Sequence, residues 1–314
     1  MKKIIILYFI CIVVLFFVPV LFVKKAFVEK NNENINVSKT NSIRLLLSET
    51  KEVKVIDLEE YLMGVLIGEM PVSYELEALK AQAVVARTYT LNKLINLSSA
   101  HENADMCDDI NHCQAYKTKE YALASWDDNV ENEKWNKIKK AVTETTGEII
   151  TYNGALINAF FHADSGGKTE DILNIWGHED IPYLKSVDSI EPPFLDKVSL
   201  TYDEINKIMI EKYQDFDETL QDIEIIERNS TGRVSKIKIS NIVLEGTEIR
   251  SLFNLRSTDF EVKVDETNVV FETKGYGHGI GMSQNGANYM AMQGKTYEEI
   301  IKHYYTNVNL EKLK

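Results

Sequence analysis

One carboxylate on an apolar helical stripe is the first feature of this sequence that could do chemistry. Leu62, Val65, Leu66 and Glu69 recur at i, i+3, i+4 and i+7, so a helix here carries Glu69 on its apolar face, and Pro71 stops it. A carboxyl group at the end of such a face loses hydration, which disfavours the anion and raises the pKa toward the range of a general acid. Residues 75 to about 94 predict a second helix through Leu76, Leu79, Ala83 and Ala86, with Lys80 and Arg87 on one face and Gln82 nearby. The residues alone leave a plainer reading open, in which Glu69 is a buried acid paired with Lys80 or Arg87.

A different chemistry is spelled by His101, Cys107, His112 and Cys113, four nitrogen and sulfur donors directly after that helix. They fit a His2Cys2 zinc site, which would be structural because four protein ligands leave no open position. Outside the cell a disulfide closing the loop is the main competing reading, although it leaves both histidines without a role, and free thiols are a third. Two glycine-rich motifs follow, Phe160-Phe-His-Ala-Asp-Ser-Gly-Gly167 and Gly275-Tyr-Gly-His-Gly-Ile-Gly-Met-Ser-Gln-Asn-Gly-Ala287. Their glycines allow close backbone approach to a ligand, and His278, Ser283 and Gln284 offer the neutral hydrogen-bonding groups that sugar hydroxyls need. A phosphate loop is excluded, because neither the Gly-Lys-Ser/Thr ending nor a βαβ context is present.

The elements needed to position these residues are legible in the surrounding patterns. Residues 130 to 146 predict an amphipathic helix stopped by Gly147. Asn153-Gly154 predicts a hairpin between strands 148 to 152 and 155 to 161, which places His162 at a strand end. Residues 190 to 265 differ in composition and read as a peripheral lobe, with a helix from 202 to 213, a half-buried strand from 234 to 240 and a short helix from 246 to 253. A strand over 269 to 274 leads into the last motif, and helices over 283 to 293 and 297 to 305 follow. The fold class expected is α+β: an N-terminal helical lobe carrying Glu69, mixed β strands bearing the glycine-rich motifs, and the peripheral lobe.

The block Tyr61-Leu-Met-Gly-Val, Glu69-Met-Pro and Glu77-Ala-Leu-Lys80-Ala-Gln82-Ala-Val-Val-Ala-Arg87-Thr-Tyr89, with the two glycine-rich motifs in the same order, resembles the stage II sporulation protein D family of lytic transglycosylases. The resemblance covers residues 43 to about 307. It implies cleavage of the MurNAc to GlcNAc bond in glycan strands stripped of stem peptide, leaving 1,6-anhydro-MurNAc ends, during engulfment in sporulation. Glu69 would be the catalytic acid, and no cofactor would be required for the chemistry. Lys80, Gln82, Arg87 and Tyr89 would position sugar or steady the carboxylate; His162, Ser165, Gly166, Gly167, Tyr276, His278, Gly279, Met282, Ser283 and Gln284 would contact glycan. Partners implied are an amidase, stage II sporulation protein P, and a scaffold, protein M. A hydrolase using Glu75 or Asp164 as second carboxylate is one alternative; a non-catalytic glycan binder that activates a wall amidase is another, since relatives of the family are amidase enhancers.

Residues 4 to 23 are twenty consecutive residues without a charge, enough at about 1.5 Å per residue to span a bilayer core. They predict an uncleaved single-pass anchor over residues 1 to 25, with a cleaved signal peptide as the alternative. Lys2 and Lys3 are balanced by Lys24, Lys25 and Lys30, so orientation comes from the resemblance, which implies a domain outside the membrane on the mother-cell side. Residues 26 to 42 read as a polar spacer and 43 to 314 as the extracytoplasmic domain. A net charge of −13 argues against nucleic acid and anionic lipid surfaces as partners.

Overall fold

The computed structural model describes residues 41 to 95, 101, 103 to 126, 131 to 177, 180 to 216, 220 and 222 to 313. The expected anchor lies outside these, as does nearly all of the spacer. Among the described residues no helix is long and apolar enough to cross a membrane, and residues 42 to 313 form one unit.

Strands β1 (Ser42–Leu46) and β2 (Val53–Asp57) pair antiparallel. Asp57 then accepts the backbone N–H groups of Glu59 at 2.9 Å and Glu60 at 3.2 Å, capping α1 (Leu58–Glu69). Met70 is extended and Pro71 follows, so the helix ends on the catalytic candidate. Helix α2 (Leu76–Ile95) is the axis of this half: twelve of its twenty residues are buried, and its alanines let α1 and later elements pack closely around it. Arg87, fully buried, forks onto Glu59 of α1 at 2.9 and 2.5 Å and bonds the Glu148 carbonyl at 3.2 Å, joining three elements.

The run read from sequence as a loop contains β3 (Met106–Cys107), which pairs parallel with Leu45 and Leu46 of β1. Next come α3 (Lys119–Ser125), α4 (Glu131–Glu144) and the hairpin of β4 (Glu148–Tyr152) with β5 (Ala155–Leu156), turning at Asn153 and Gly154, both at positive φ. The second hairpin strand is shorter than expected. After Leu156 the chain leaves the hairpin, and β6 (Phe161–His162) pairs parallel with β13 (Met282–Ser283) instead. Gly281 makes this possible: at φ 72° it admits the Phe160 carbonyl where a Cβ would lie 1.9 Å from its oxygen.

Between those partners lie α5 (Ile172–Trp176) and a lobe of β7 (Leu195–Thr201), α6 (Tyr202–Lys212), β8 (Ile223–Arg228), β9 (Val234–Ile239), β10 (Ile242–Glu245), α7 (Gly246–Leu252), β11 (Asp259–Val264) and β12 (Asn268–Lys274). Its two antiparallel sheets run β10-β9-β8 and β11-β12-β7. They share one apolar core, built on Ile205, Met209, Ile237, Ile249, Phe260 and Phe271. The chain then returns through β13 to α8 (Gln284–Met292) and α9 (Tyr297–Tyr304), both packed on α2, and β14 (Asn309–Lys312) closes antiparallel on β4. This is the α+β architecture expected from the sequence.

Candidate active site

Two glycines create the environment of Glu69. Gly64 and Gly68 lie one turn apart on α1, and the segment 115 to 117 is laid against them: a Cβ would meet the Tyr116 ring at 2.2 Å from Gly64 and the Ala115 backbone carbon at 2.8 Å from Gly68. Lys117 donates its N–H to the Gly64 carbonyl at 3.1 Å, and Tyr116 stacks on Tyr61. The approach brings the Ala115 N–H to 2.7 Å from Glu69 Oε1, while Gln284 Nε2 stands 3.4 Å from Oε2. Burial raises the Glu69 pKa to about 7, against the two hydrogen bonds, which lower it. Lys80 is engaged by Glu77 and Glu144, and Arg87 by Glu59. The plainer reading, an acid neutralised by one of these cations, therefore does not describe Glu69.

Glu69 opens into a cleft of about 460 Å³. Its lining includes Tyr89 of α2 and the loop ending at His112 and Cys113, together with Phe160, His162, His278 and Arg250. His162 Nδ1 faces the Ile280 carbonyl at 3.1 Å and so bears the proton, which leaves a buried Nε2 without a donor. His278 Nδ1 accepts the Ile280 N–H at 3.0 Å. Burial, then the nearby Arg250 guanidinium, lowers the His278 pKa to about 4, and burial followed by His278 drives that of His162 well down, so both rings are neutral near pH 7. Among the described residues lining this cleft Glu69 is the one carboxylate.

The four metal-ligand candidates converge beside it. Cys113 Sγ lies 3.4 Å from His112 Nδ1 and 3.7 Å from His101 Nε2, Cys107 Sγ lies 3.5 Å from His112 Nδ1, and all four donors fall within 4.8 Å of one another. A tetrahedral zinc ion with Zn–N of about 2.0–2.1 Å and Zn–S of about 2.3 Å requires N···S edges of about 3.6 Å, which these donors match. The cysteines are unbridged. Lys93 Nζ approaches Cys113 Sγ to 3.5 Å and bonds the His112 carbonyl at 2.9 Å. Cys113 is two residues from Ala115, and between them Gln114 bonds Tyr61 and Thr90 at 3.2 and 3.0 Å. The cluster and the N–H that holds Glu69 therefore belong to one short tether.

Other sequence-singled residues sit elsewhere. Gln82 is buried in α2 with both amide atoms unpartnered, and Lys80 and Arg87 do not line the cleft. Ser165 and Ser283 are buried, and both hydroxyls donate to Glu191, at 2.7 and 2.8 Å. Asp164 accepts from Gly166 at 2.9 Å and Asn285 at 2.8 Å, and Glu75 is exposed. Gly166 and Gly167 form the turn beneath, Gly279 packs on Arg233 and Glu170, and Met282 is buried. Tyr276 is exposed, between Phe194 and the Arg256 guanidinium. Ala115 and Arg250 were not singled out by sequence: a backbone N–H has no sequence signature, and Arg250 belongs to a seven-residue helix in a lobe without a motif.

An α+β protein with one acid in a half-enclosed cleft, walled by neutral histidines and braced by a metal-capable loop, is thereby defined. Comparison with known proteins makes the class specific. Residues 47 to 152 match the family described as stage II sporulation protein, and residues 197 to 281 match a family described as a domain of unknown function. The chain is 38% identical over 275 residues to stage II sporulation protein D of Bacillus amyloliquefaciens, and 36% identical over the same length to that of Bacillus subtilis; each alignment covers 86% of this chain and 78% of the relative. It is also 29% identical over 305 residues to a Bacillus subtilis protein named amidase enhancer, covering 79% of this chain and 40% of that protein. The chain belongs to the stage II sporulation protein D family.

Proposed function

We propose that this chain is a lytic transglycosylase that cuts the MurNAc to GlcNAc bond of peptidoglycan glycan strands during engulfment in sporulation. The observation that carries the reading is Glu69, a carboxyl group poised near pH 7 and alone among the acidic groups of the described cleft lining. In its acid form it protonates the glycosidic oxygen as the bond to C1 breaks. The resulting carboxylate then takes the proton of the MurNAc 6-hydroxyl while that oxygen bonds C1, which closes the 1,6-anhydro ring and restores the acid. One carboxyl group serves both steps, whereas a hydrolase needs two, spaced about 5–9.5 Å. Asp164, which accepts from Gly166 and Asn285, and Glu75, which is exposed, are both absent from the cleft lining, which disfavours either as that second group.

His162 and His278 present neutral surface to a sugar, with Tyr89 and Phe160 as apolar faces for its ring. Zinc held by His101, Cys107, His112 and Cys113 would supply rigidity, since four protein ligands leave it no open position. We place the domain outside the membrane, tethered by residues 4 to 23, with an amidase and a membrane scaffold, the stage II sporulation proteins P and M, as partners. Mass spectrometry of products formed in ¹⁸O water tests the chemistry: anhydro ends free of label are expected, and labelled reducing ends would establish hydrolysis instead.

The likeness to a protein named amidase enhancer favours a second reading, in which the cleft binds glycan without cutting it and stimulates a wall amidase. The two separate on Glu69→Gln assayed with and without amidase. Stimulation undiminished in that variant, with no anhydro product from wild type, would replace the first reading by the second.

A further inference from the structure

Glu191 is a buried carboxyl group that takes no part in the cleft lining and has no cation beside it among the described residues. Three serine hydroxyls and one backbone N–H face it instead. Ser165 and Ser283 donate to Oε1 at 2.7 and 2.8 Å, the Ser165 N–H approaches the same oxygen at 3.4 Å, and Ser189 donates to Oε2. The direction of two of these bonds is fixed. Ser165 Oγ already accepts the Gly167 N–H at 3.2 Å and Ser283 Oγ the Gly286 N–H at 3.1 Å, so each hydroxyl turns its one proton toward Glu191. Gly286 makes room for the group: a Cβ there would lie 2.8 Å from Glu191 Oε2, 2.6 Å from Ser189 Oγ and 1.9 Å from the Tyr304 hydroxyl. Glu191 thus sits at the first turn of α8, where the helix dipole favours an anion.

The two serines that share Oε1 belong to the two glycine-rich motifs. Ser165 follows three residues after His162, and Ser283 pairs with His162 where β13 meets β6. Ser283 also caps α8, and the first residue of that helix is Gln284, whose amide stands 3.4 Å from Glu69 Oε2. That separation is at the outer limit of a hydrogen bond, so a small displacement of the helix start decides whether the bond exists. Ser283 grips the helix with its oxygen, and Glu191 fixes that oxygen by taking the proton on its other side. Resting on the reading of Glu69 as the acid of the reaction, we propose that Glu191 is a positioning residue: through Ser283 it keeps the Gln284 amide on Glu69, and it touches no sugar itself. Its burial beneath the motifs then serves the placement of one hydrogen bond in the cleft.

A double-mutant cycle on the full-length protein tests this, with kcat and KM measured on soluble glycan for Glu191→Ala, Gln284→Ala and the two combined. Glu191→Ala should lower kcat at least about tenfold and leave KM within about twofold, because it disturbs the partner of Glu69 and no sugar contact. Gln284→Ala should lose a similar factor. The double variant should fall no further than the worse single, since both changes remove the same bond. Glu191→Gln should recover most of the rate: its amide oxygen can accept from Ser165 and Ser283, while its NH2 group faces Ser189, whose oxygen can accept. A general loosening of the fold would instead cost the same factor with or without Gln284. Additive losses therefore overturn the proposal, as does an unchanged kcat in Glu191→Ala or a loss confined to KM. If Glu191→Ala does not fold, Glu191→Asp, which keeps the carboxylate but is shorter by one methylene, takes its place in the cycle. Full turnover by Glu69→Gln would remove the acid and the positioning role together, whereas an inactive Glu69→Gln with additive losses in the cycle sinks the role of Glu191 alone.

Discussion

Burial lifts the Glu69 pKa to about 7, against the opposing pull of the Ala115 N–H and the Gln284 amide. In the proposed reaction the acid form acts first, so kcat/KM should be sustained below about pH 7 and decline as the pH rises through that value, which a pH-rate profile on soluble glycan measures. Glu69→Gln keeps the shape and the bond from Ala115 but cannot pass a proton, so turnover should fall by roughly 10²–10⁴-fold with glycan binding retained. The same shift has a thermodynamic sign. Between the ordinary pKa of 4.5 and about 7 the folded chain holds a proton the unfolded chain has released, so stability declines with rising pH across that window. Glu69→Gln removes the cost of the buried anion and should be more stable than wild type at pH 8, by an order of 1–3 kcal/mol, with the difference shrinking toward pH 4.5; thermal denaturation at both pH values checks this. This acid was legible because helical spacing and a proline stop are local patterns. The pairing of Arg87 with Glu59, 28 residues away, was not, because a tertiary contact decides it.

At the scale of elements, the glycines of α1 matter more than their composition implies. Gly68→Ala would set a methyl 2.8 Å from the Ala115 backbone carbon and push that N–H off Glu69. The expected result is a folded protein with turnover reduced at least tenfold, because a misplacement of about 1 Å near a catalytic group costs on the order of 10²-fold. It should also show a further rise in the Glu69 pKa, visible as a shifted pH-rate limb. The loop of His101, Cys107, His112 and Cys113 ends two residues before the same N–H. Metal analysis should give about one zinc per chain, and chelation should lower the melting temperature. His101→Ala should do the same, and a variant that loses zinc with an unchanged melting temperature would contradict the bracing role. Four donors in thirteen residues were readable from spacing; their convergence depends on β3 pairing with β1, which two residues of strand could not announce.

The whole molecule joins an N-terminal helical half to a lobe with its own core, and the cleft lies where both contribute. Because residues 42 to 313 form one unit, a chain starting at residue 26 should remain soluble and cleave glycan in vitro, while deletion of residues 4 to 23 in cells should abolish spore formation; gel filtration and a sporulation count test the two halves of this prediction. In the lobe the alternation of residues 234 to 240 and the strand from 269 were legible, whereas β7, β8, β10 and β11 were not read, nor that α7 would reach the cleft, since a cleft lined from two cores is a property of neither segment. Gly281, where the Phe160 carbonyl crosses, has a consequence in time. His162 is fixed by Ile280, 118 residues later, and Glu69 by Gln284, 215 residues later. Contacts of such separation form late, after the local helices and hairpins. A chain that emerges N-terminus first therefore exposes its acid early yet stays inert until nearly its full length has arrived, and refolding should recover helical signal before glycan binding.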